Sequence, residues 1–247
     1  MKTFKQMCEA IEKSIAEEHP MIDVDGEMKH KHNSEGRPIH PTNEGIKNFH
    51  RWFGNSQAVD EHGRPQVMYR GLTQEHKDYQ NKPITWVTPS KDYAGVYANK
   101  DGDGGNIMPV YTKIEKPMNL GFRTQLTHTK FKDISSRIKN NLMDDYKIGK
   151  TSINSALAAI THLDMGVAEN KDNMKHIFQW QDQSKHLHDA LKSAKYDSIE
   201  SKEGDTQAIG DQPTHKTYGI LHPENIKSAI GNNGSFSSGS NKLNENQ

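Results

Sequence analysis

Cysteine is almost missing from this chain. Cys8 is the one thiol in 247 residues, which excludes an internal disulfide and any zinc site built on several thiolates. A reducing, cytoplasmic setting fits that usage. Long apolar runs are missing too: nothing approaches the roughly 20 residues of a membrane span or the apolar stretch of a secretion signal, so a soluble protein is expected. Apolar residues make up only 32% of the sequence and mean hydropathy is −0.96, which implies a small core and much exposed chain. There is no charge excess either. With 32 Lys and Arg against 32 Asp and Glu, overall charge implies no partner.

What is present begins with helical periodicity. Phe4, Met7, Cys8, Ile11 and Ile15 recur at spacings of three and four behind Thr3, which predicts a helix with one buried stripe to about Glu18. Residues 20–45 mix Pro, Gly, His and charge without a period, and read as a linker or loosely packed arm. Lys29-His-Lys-His32 within it has no carboxylate or cysteine at ligand spacing, so a solvated basic loop is preferred to a metal site. Thr42 opens a second helix in which Ile46, Phe49, Trp52 and Phe53 share one face before Gly54 ends it. Farther on, Phe131, Ile134, Ile138, Leu142, Ile153, Leu157, Ile160, Ile177, Trp180, Leu187 and Leu191 mark a mostly helical stretch over 121–192. Strand character returns at Tyr196–Ile199 and Tyr218–Leu221. From Gly231 the abundance of Gly, Ser, Asn and charge predicts a flexible tail, 231–247.

Two short apolar runs deliver polar groups. Gln66-Val-Met-Tyr-Arg-Gly-Leu-Thr73 reads as a strand with Arg70 near its end, and Ile84-Thr-Trp-Val-Thr-Pro-Ser90 as a strand that passes through Thr88 and Ser90 into a helix. The free amides at that helix start suit an anion or a ribose. Taken singly, each residue has a plainer reading: Arg70 as a surface charge, Thr88 and Ser90 as helix caps, Trp86 and Tyr97 as core, Glu203 as a loop acid. Asp101-Gly-Asp-Gly-Gly-Asn106 lacks the downstream glutamate of a calcium loop and reads as a hairpin turn. Between Arg123 and Lys150 seven basic residues outnumber three acids. That local excess suits either a phosphate backbone or a solvated helix face.

The order of these signals is more specific than any one of them. Phe49-His-Arg-Trp-Phe-Gly-Asn-Ser56, Val59-Asp-Glu-His-Gly-Arg-Pro65, Val67-Met-Tyr-Arg-Gly71, Ala94-Gly-Val-Tyr97, Pro109-Val-Tyr111, Tyr196-Asp197 and Glu224-Asn-Ile-Lys-Ser-Ala229 follow one another. Over about residues 42–236 this succession resembles the ADP-ribosyltransferase domain of phage polyvalent and head-morphogenesis proteins. The resemblance implies an α+β fold with a split antiparallel β-sheet core, built from 42–120 and 193–230, that clasps NAD. An N-terminal helix and linker arm, 1–41, would precede it, and 121–192 would be a helical insertion. Where the family reads Tyr-His-Gly-Thr, this chain has Tyr69-Arg-Gly-Leu-Thr73, as in the arginine-type branch of the superfamily. Thr88-Pro-Ser90 resembles that branch's Ser-Thr-Ser motif. The approach to the last strand, His215-Lys-Thr217, lacks the family's acid, whereas Glu203-Gly204 matches a Glu-Gly that many phage relatives carry in the preceding loop. The resemblance therefore assigns the catalytic carboxylate to Glu203, with Glu200 as second choice.

It also implies the chemistry. NAD is the co-substrate, no metal is required, and the carboxylate stabilises positive charge developing at the anomeric carbon as the nicotinamide bond breaks. Arg70 offers a planar fork of donors for a diphosphate or ribose. The cofactor contacts fall on Arg70, Gly71, Thr73, Trp86, Thr88, Ser90 and Tyr97, with Trp86 or Tyr97 stacking on nicotinamide and Thr88 and Ser90 orienting Arg70 or the acid. The acceptor would be a macromolecule, with RNA or DNA suggested by 123–150. The setting would be that of a phage effector, toxin or defence component, with an antitoxin or chaperone as a further partner. Two other functions stay open. One is a catalytically inert, virion-associated binding module, raised by the missing acid at Thr217. The other is a metal-independent nuclease using some of the fourteen histidines.

Overall fold

The computed structural model describes residues 20–73, 83–99, 104–122, 128–155, 157, 181–203 and 215–245. The helix expected over Phe4–Glu18, the loop after Glu203, the first half of the calcium-like run and the stretch holding Ile160, Ile177 and Trp180 lie outside these. The described chain is α+β and falls into two units. Met1–Tyr69, Met108–Glu115 and Glu224–Gln247 make the first; Arg70–Ile107 and Lys116–Pro223 make the second. Among the described residues no helix is long and apolar enough to cross a membrane.

The first unit opens with a hairpin where the sequence suggests a loose arm. β1 (Met21–Val24) and β2 (Glu27–His30) pair antiparallel, with Val24 opposite Glu27. The connection, Asp25-Gly26, has φ of 56° and 92°, the left-handed pair that a two-residue hairpin turn needs and that Asp-Gly supplies. Ile22, Val24 and Ile39 are buried, so the arm contributes to the core. α1 (Asn43–Phe53) follows, capped by Thr42, whose Oγ1 accepts from the Gly45 amide at 3.1 Å, and ended by Gly54 at φ 56°. Its Ile46, Phe49, Trp52 and Phe53 are buried on one side, as their spacing predicts.

β3 (Met68–Leu72), β5 (Asn106–Thr112) and β9 (Ile226–Ser228) form a three-stranded sheet in the order β3-β5-β9, with β5 and β9 antiparallel. Tyr111 of β5 meets Phe49 with ring centroids 4.7 Å apart. The tail departs from the composition-based expectation. Phe236 is 3% exposed, edge-on to Phe49 at 5.2 Å and stacked on Trp52 at 6.2 Å. Lys227, fully buried on β9, donates to the Ser240 carbonyl at 2.7 Å and to the Glu245 carboxylate. One phenylalanine and one acid are too few to register in a composition, yet they suffice to dock a segment whose pocket is already built.

The second unit holds the four-stranded sheet. β4 (Thr85–Val87), β6 (Pro117–Phe122), β7 (Ser198–Glu203) and β8 (His215–Ile220) lie in the order β4-β8-β7-β6. β4 with β8 and β7 with β8 are antiparallel, but β6 and β7 are parallel, so this sheet is mixed rather than wholly antiparallel. Parallel neighbours cannot be joined by a hairpin and require a long crossover. α3 (His128–Lys147) and α4 (Gln181–Ser193) stand in that crossover. The stretch that reads as an insertion is thus the connection between two adjacent strands. Ile134, Ile138 and Leu142 of α3 and Leu187, Ala190 and Leu191 of α4 bury against Ile84, Met118, Ile199 and Leu221. Each of the Ile, Leu and Met side chains among them contributes about 1.5–3 kcal/mol of burial.

Candidate active site

Side-chain alternation sorts the four-stranded sheet into two faces. Ile84, Met118, Ile199 and Leu221 lie on the face covered by α3 and α4, and the half-buried Trp86 packs with them. Thr85 and Val87 occupy the opposite face. Val87 pairs with Tyr218, Tyr218 with Glu200, and Glu200 with Asn119. One row across all four strands therefore reads Val87, Tyr218, Glu200, Asn119, on the face that also carries Thr85.

Arg70 reaches that face from β3. It is 9% exposed, and its Nη1 donates to Thr85 Oγ1 at 3.3 Å. A guanidinium is tolerated so far from water only when its donors are used. Among the described residues the hydroxyl that engages it belongs to Thr85, at the start of β4, rather than to Thr88 or Ser90. Thr88 Oγ1 accepts from the Ser90 amide at 3.2 Å, and Ser90 Oγ accepts from the Tyr93 amide at 3.1 Å as N-cap of α2 (Lys91–Ala98).

Glu200 places a carboxylate on this face. It is 4% exposed and fully engaged: Asn119 Nδ2 donates to Oε1 at 3.0 Å, while Lys216 Nζ and the Tyr218 hydroxyl each donate to Oε2 at 3.2 Å. Burial, then the charge of Glu200 and its hydrogen bond, push the Tyr218 phenol well above its ordinary value. It stays protonated and so serves as a donor at any working pH. Three donors on one buried carboxylate hold it in one orientation. Glu203 ends β7 with its Cα opposite His215, and its side chain lies outside the described residues. Thr217, where the family's acid is expected, is 4% exposed, and its hydroxyl has no hydrogen-bond partner among the described residues.

The other sequence candidates are placed apart from this row. Gly71 is glycine because α2 passes against it: a Cβ there would stand 2.1 Å from the Ala94 carbonyl oxygen and 2.6 Å from the Ala98 amide. Thr73 follows β3 and is half-buried. Trp86 lies on the α3/α4 face beside Gly219, where an added Cβ would come within 3.2 Å of its ring. Tyr97 is 46% exposed and meets the ring of Tyr93 at 5.3 Å. In the basic segment, Arg137 pairs with Asp133 at 3.1 Å and Lys147 with Asp144 at 3.2 Å, which offsets part of its excess charge. Among the described residues no three His, Cys, Asp or Glu side chains are grouped so as to hold a metal.

Sequence reasoning missed Thr85, Asn119, Lys216 and Tyr218. Only Thr85 had a local signal, since it stands two positions before Val87 in a strand already assigned. The others depend on register between strands far apart in the chain. Comparison with known proteins adds one match. A family model described as ADP-ribosyltransferase in polyvalent proteins matches residues 60–236. No curated protein and no solved structure matches the chain.

Proposed function

The chain belongs to the ADP-ribosyltransferases of polyvalent proteins, and from that premise we propose that it is an active, NAD-consuming mono-ADP-ribosyltransferase. The observation that carries the reading is the shared face. Arg70, tied to Thr85, and Glu200, held by Asn119, Lys216 and Tyr218, stand on one side of one sheet. In the reaction the bond from nicotinamide to the ribose anomeric carbon breaks and nicotinamide leaves neutral. A bond from that carbon to the acceptor forms, and the acceptor's proton passes to solvent. Glu200 stabilises the oxocarbenium-like charge, and Arg70 grips the phosphates or ribose of NAD. This reading prefers Glu200 to Glu203 as the acid.

Nicotinamide release from NAD tests it. Arg70→Ala and Glu200→Gln are expected to slow release by roughly a hundredfold or more at a temperature where circular dichroism shows both variants folded. If Glu203→Gln abolishes release and Glu200→Gln does not, the acid is Glu203 and Glu200 is structural. The inert-module reading is motivated by the Thr217 hydroxyl at the family's acid position; a wild-type protein that releases no nicotinamide with protein, RNA or DNA present would establish it. Biotinylated NAD followed by separate recovery of protein, RNA and DNA identifies the acceptor, and label on nucleic acid is the outcome that the 123–150 segment favours.

A further inference from the structure

The family match begins at residue 60, yet the groups that grip the strand bearing the first motif come from before it. Asn33 is 3% exposed and organises a tight turn. Its Oδ1 accepts from the Glu35 and Arg37 amides at 3.0 and 3.1 Å, its carbonyl accepts from the Gly36 amide at 3.0 Å, and Gly36 takes φ 73° to close the loop. Asn33 Nδ2 donates to the Tyr111 hydroxyl at 2.9 Å, which anchors the turn to β5. The turn then lies along the lead-in to β3. The Ser34 amide donates to the Pro65 carbonyl at 2.9 Å, and Ser34 Oγ accepts from the Val67 amide at 3.0 Å and from Gln66 Nε2 at 3.1 Å. The next residue, Glu35, accepts a hydrogen bond from the Tyr69 hydroxyl. Tyr69 immediately precedes Arg70.

We propose that Glu35 is a positioning residue of the transferase, which acts through the Tyr69 hydroxyl to fix β3 at the residue before Arg70, and that the arm 20–41 is a working part of the catalytic domain. The proposal rests on the reading of Arg70 as an NAD-binding residue. Ser34 already ties the strand lead-in by backbone and hydroxyl, so a clip for stability alone is complete without Glu35. Glu35 adds a charge-assisted bond to a phenol, the stronger kind of hydrogen bond and one that sets direction as well as distance. Its target is the first-motif tyrosine itself. A strand held at Ser34 and again at Glu35 is restrained up to Tyr69, the residue bonded to Arg70, and a cation that must meet a diphosphate or ribose in a fixed geometry gains from restraint of the strand that carries it.

The test uses the full chain with Glu35→Ala, Glu35→Gln, Tyr69→Phe and the double variant Glu35→Ala/Tyr69→Phe. Nicotinamide release and hydrogen exchange over residues 68–72 are the two readouts. Glu35→Ala and Tyr69→Phe should each lower kcat/KM roughly tenfold, mainly through KM for NAD, the scale of one charge-assisted hydrogen bond. The double variant should be no worse than either, and Glu35→Gln, whose amide oxygen still accepts from Tyr69, should recover most of the loss. Exchange over 68–72 should quicken in the Ala and Phe variants and recover in the Gln variant. Wild-type kinetics in Glu35→Ala, single losses that multiply in the double variant, or unchanged exchange over 68–72 would each overturn the proposal. If the wild-type protein releases no nicotinamide at all, the transferase reading fails by itself, and the exchange measurement still decides whether Glu35 positions the strand.

Discussion

Replacing Phe236 by Ala tests whether the tail is a docked element of the first unit. The ring is 3% exposed and lies against Phe49 and Trp52, which are 0% and 2% exposed, with centroids at 5.2 and 6.2 Å. Truncating a phenylalanine in such surroundings costs about 3–5 kcal/mol when the cavity persists. The tail has a second outcome open to it, which is to detach. The loss then equals the free energy of docking, and detachment also strips Ser240 and Glu245 from the fully buried Lys227 ammonium. Both routes are destabilising, and for a chain of this size the melting temperature should fall by roughly 6–20 °C. The assays are thermal and urea unfolding, together with hydrogen exchange resolved over residues 231–245. Protection there should be present in the wild type and lost in the variant. A melting temperature within about 1 °C of wild type, with residues 231–245 exchanging at the rate of a free peptide in both proteins, would refute the argument.

Three further outcomes follow from the same geometry. Burial, the largest influence on His50, holds its imidazole at about 4 rather than 6.5. Because the folded value lies below the unfolded one, its contribution is complete above pH 6.5 and is lost as pH falls toward 4, by about 3 kcal/mol in total. Urea unfolding of His50→Gln should show a flatter slope of stability with pH across that window. For Glu245 burial opposes the charge, but hydrogen bonds from Lys227, Ser235 and the Ser237 amide outweigh it and hold the carboxyl below 4.5. The stability lost in Glu245→Gln should therefore be full at neutral pH and shrink as pH drops below 4.5. Gly71→Ala would drive a Cβ to 2.1 Å from the Ala94 carbonyl and 2.6 Å from the Ala98 amide. Backbone cannot rotate aside, so a loss of about 1–3 kcal/mol or more is expected, read as melting temperature and soluble yield. Wild-type stability in that variant would mean that α2 does not pass against β3.

Local chemistry made much of this protein legible. The three- and four-residue spacing of Ile46, Phe49, Trp52 and Phe53, with Thr42 before and Gly54 after, is enough to define α1, because cap and stripe both act within a few residues. The same holds for Ile134, Ile138 and Leu142 on α3. Asp25-Gly26 carried the hairpin signal as well, but the flanking Pro, His and charge masked it. The docking of the tail is hidden from composition for a different reason. Composition averages over residues, whereas Phe236 and Glu245 act singly, in pockets made by α1 and β9.

The sequence by itself determined the family, the main helices and strands, and Arg70 as the cation of the first motif, because ordered motifs and short-range periods survive without any knowledge of pairing. Only the tertiary structure decided that Thr85 is the hydroxyl on Arg70, that Glu200 is the buried acid beside Tyr218, and that the arm before residue 60 grips the motif strand. Those assignments depend on register and on contacts 15 to 34 residues apart in the chain. A slip of one residue in a strand turns every side chain to the other face, and no local pattern in the sequence specifies which of the two registers the folded chain adopts.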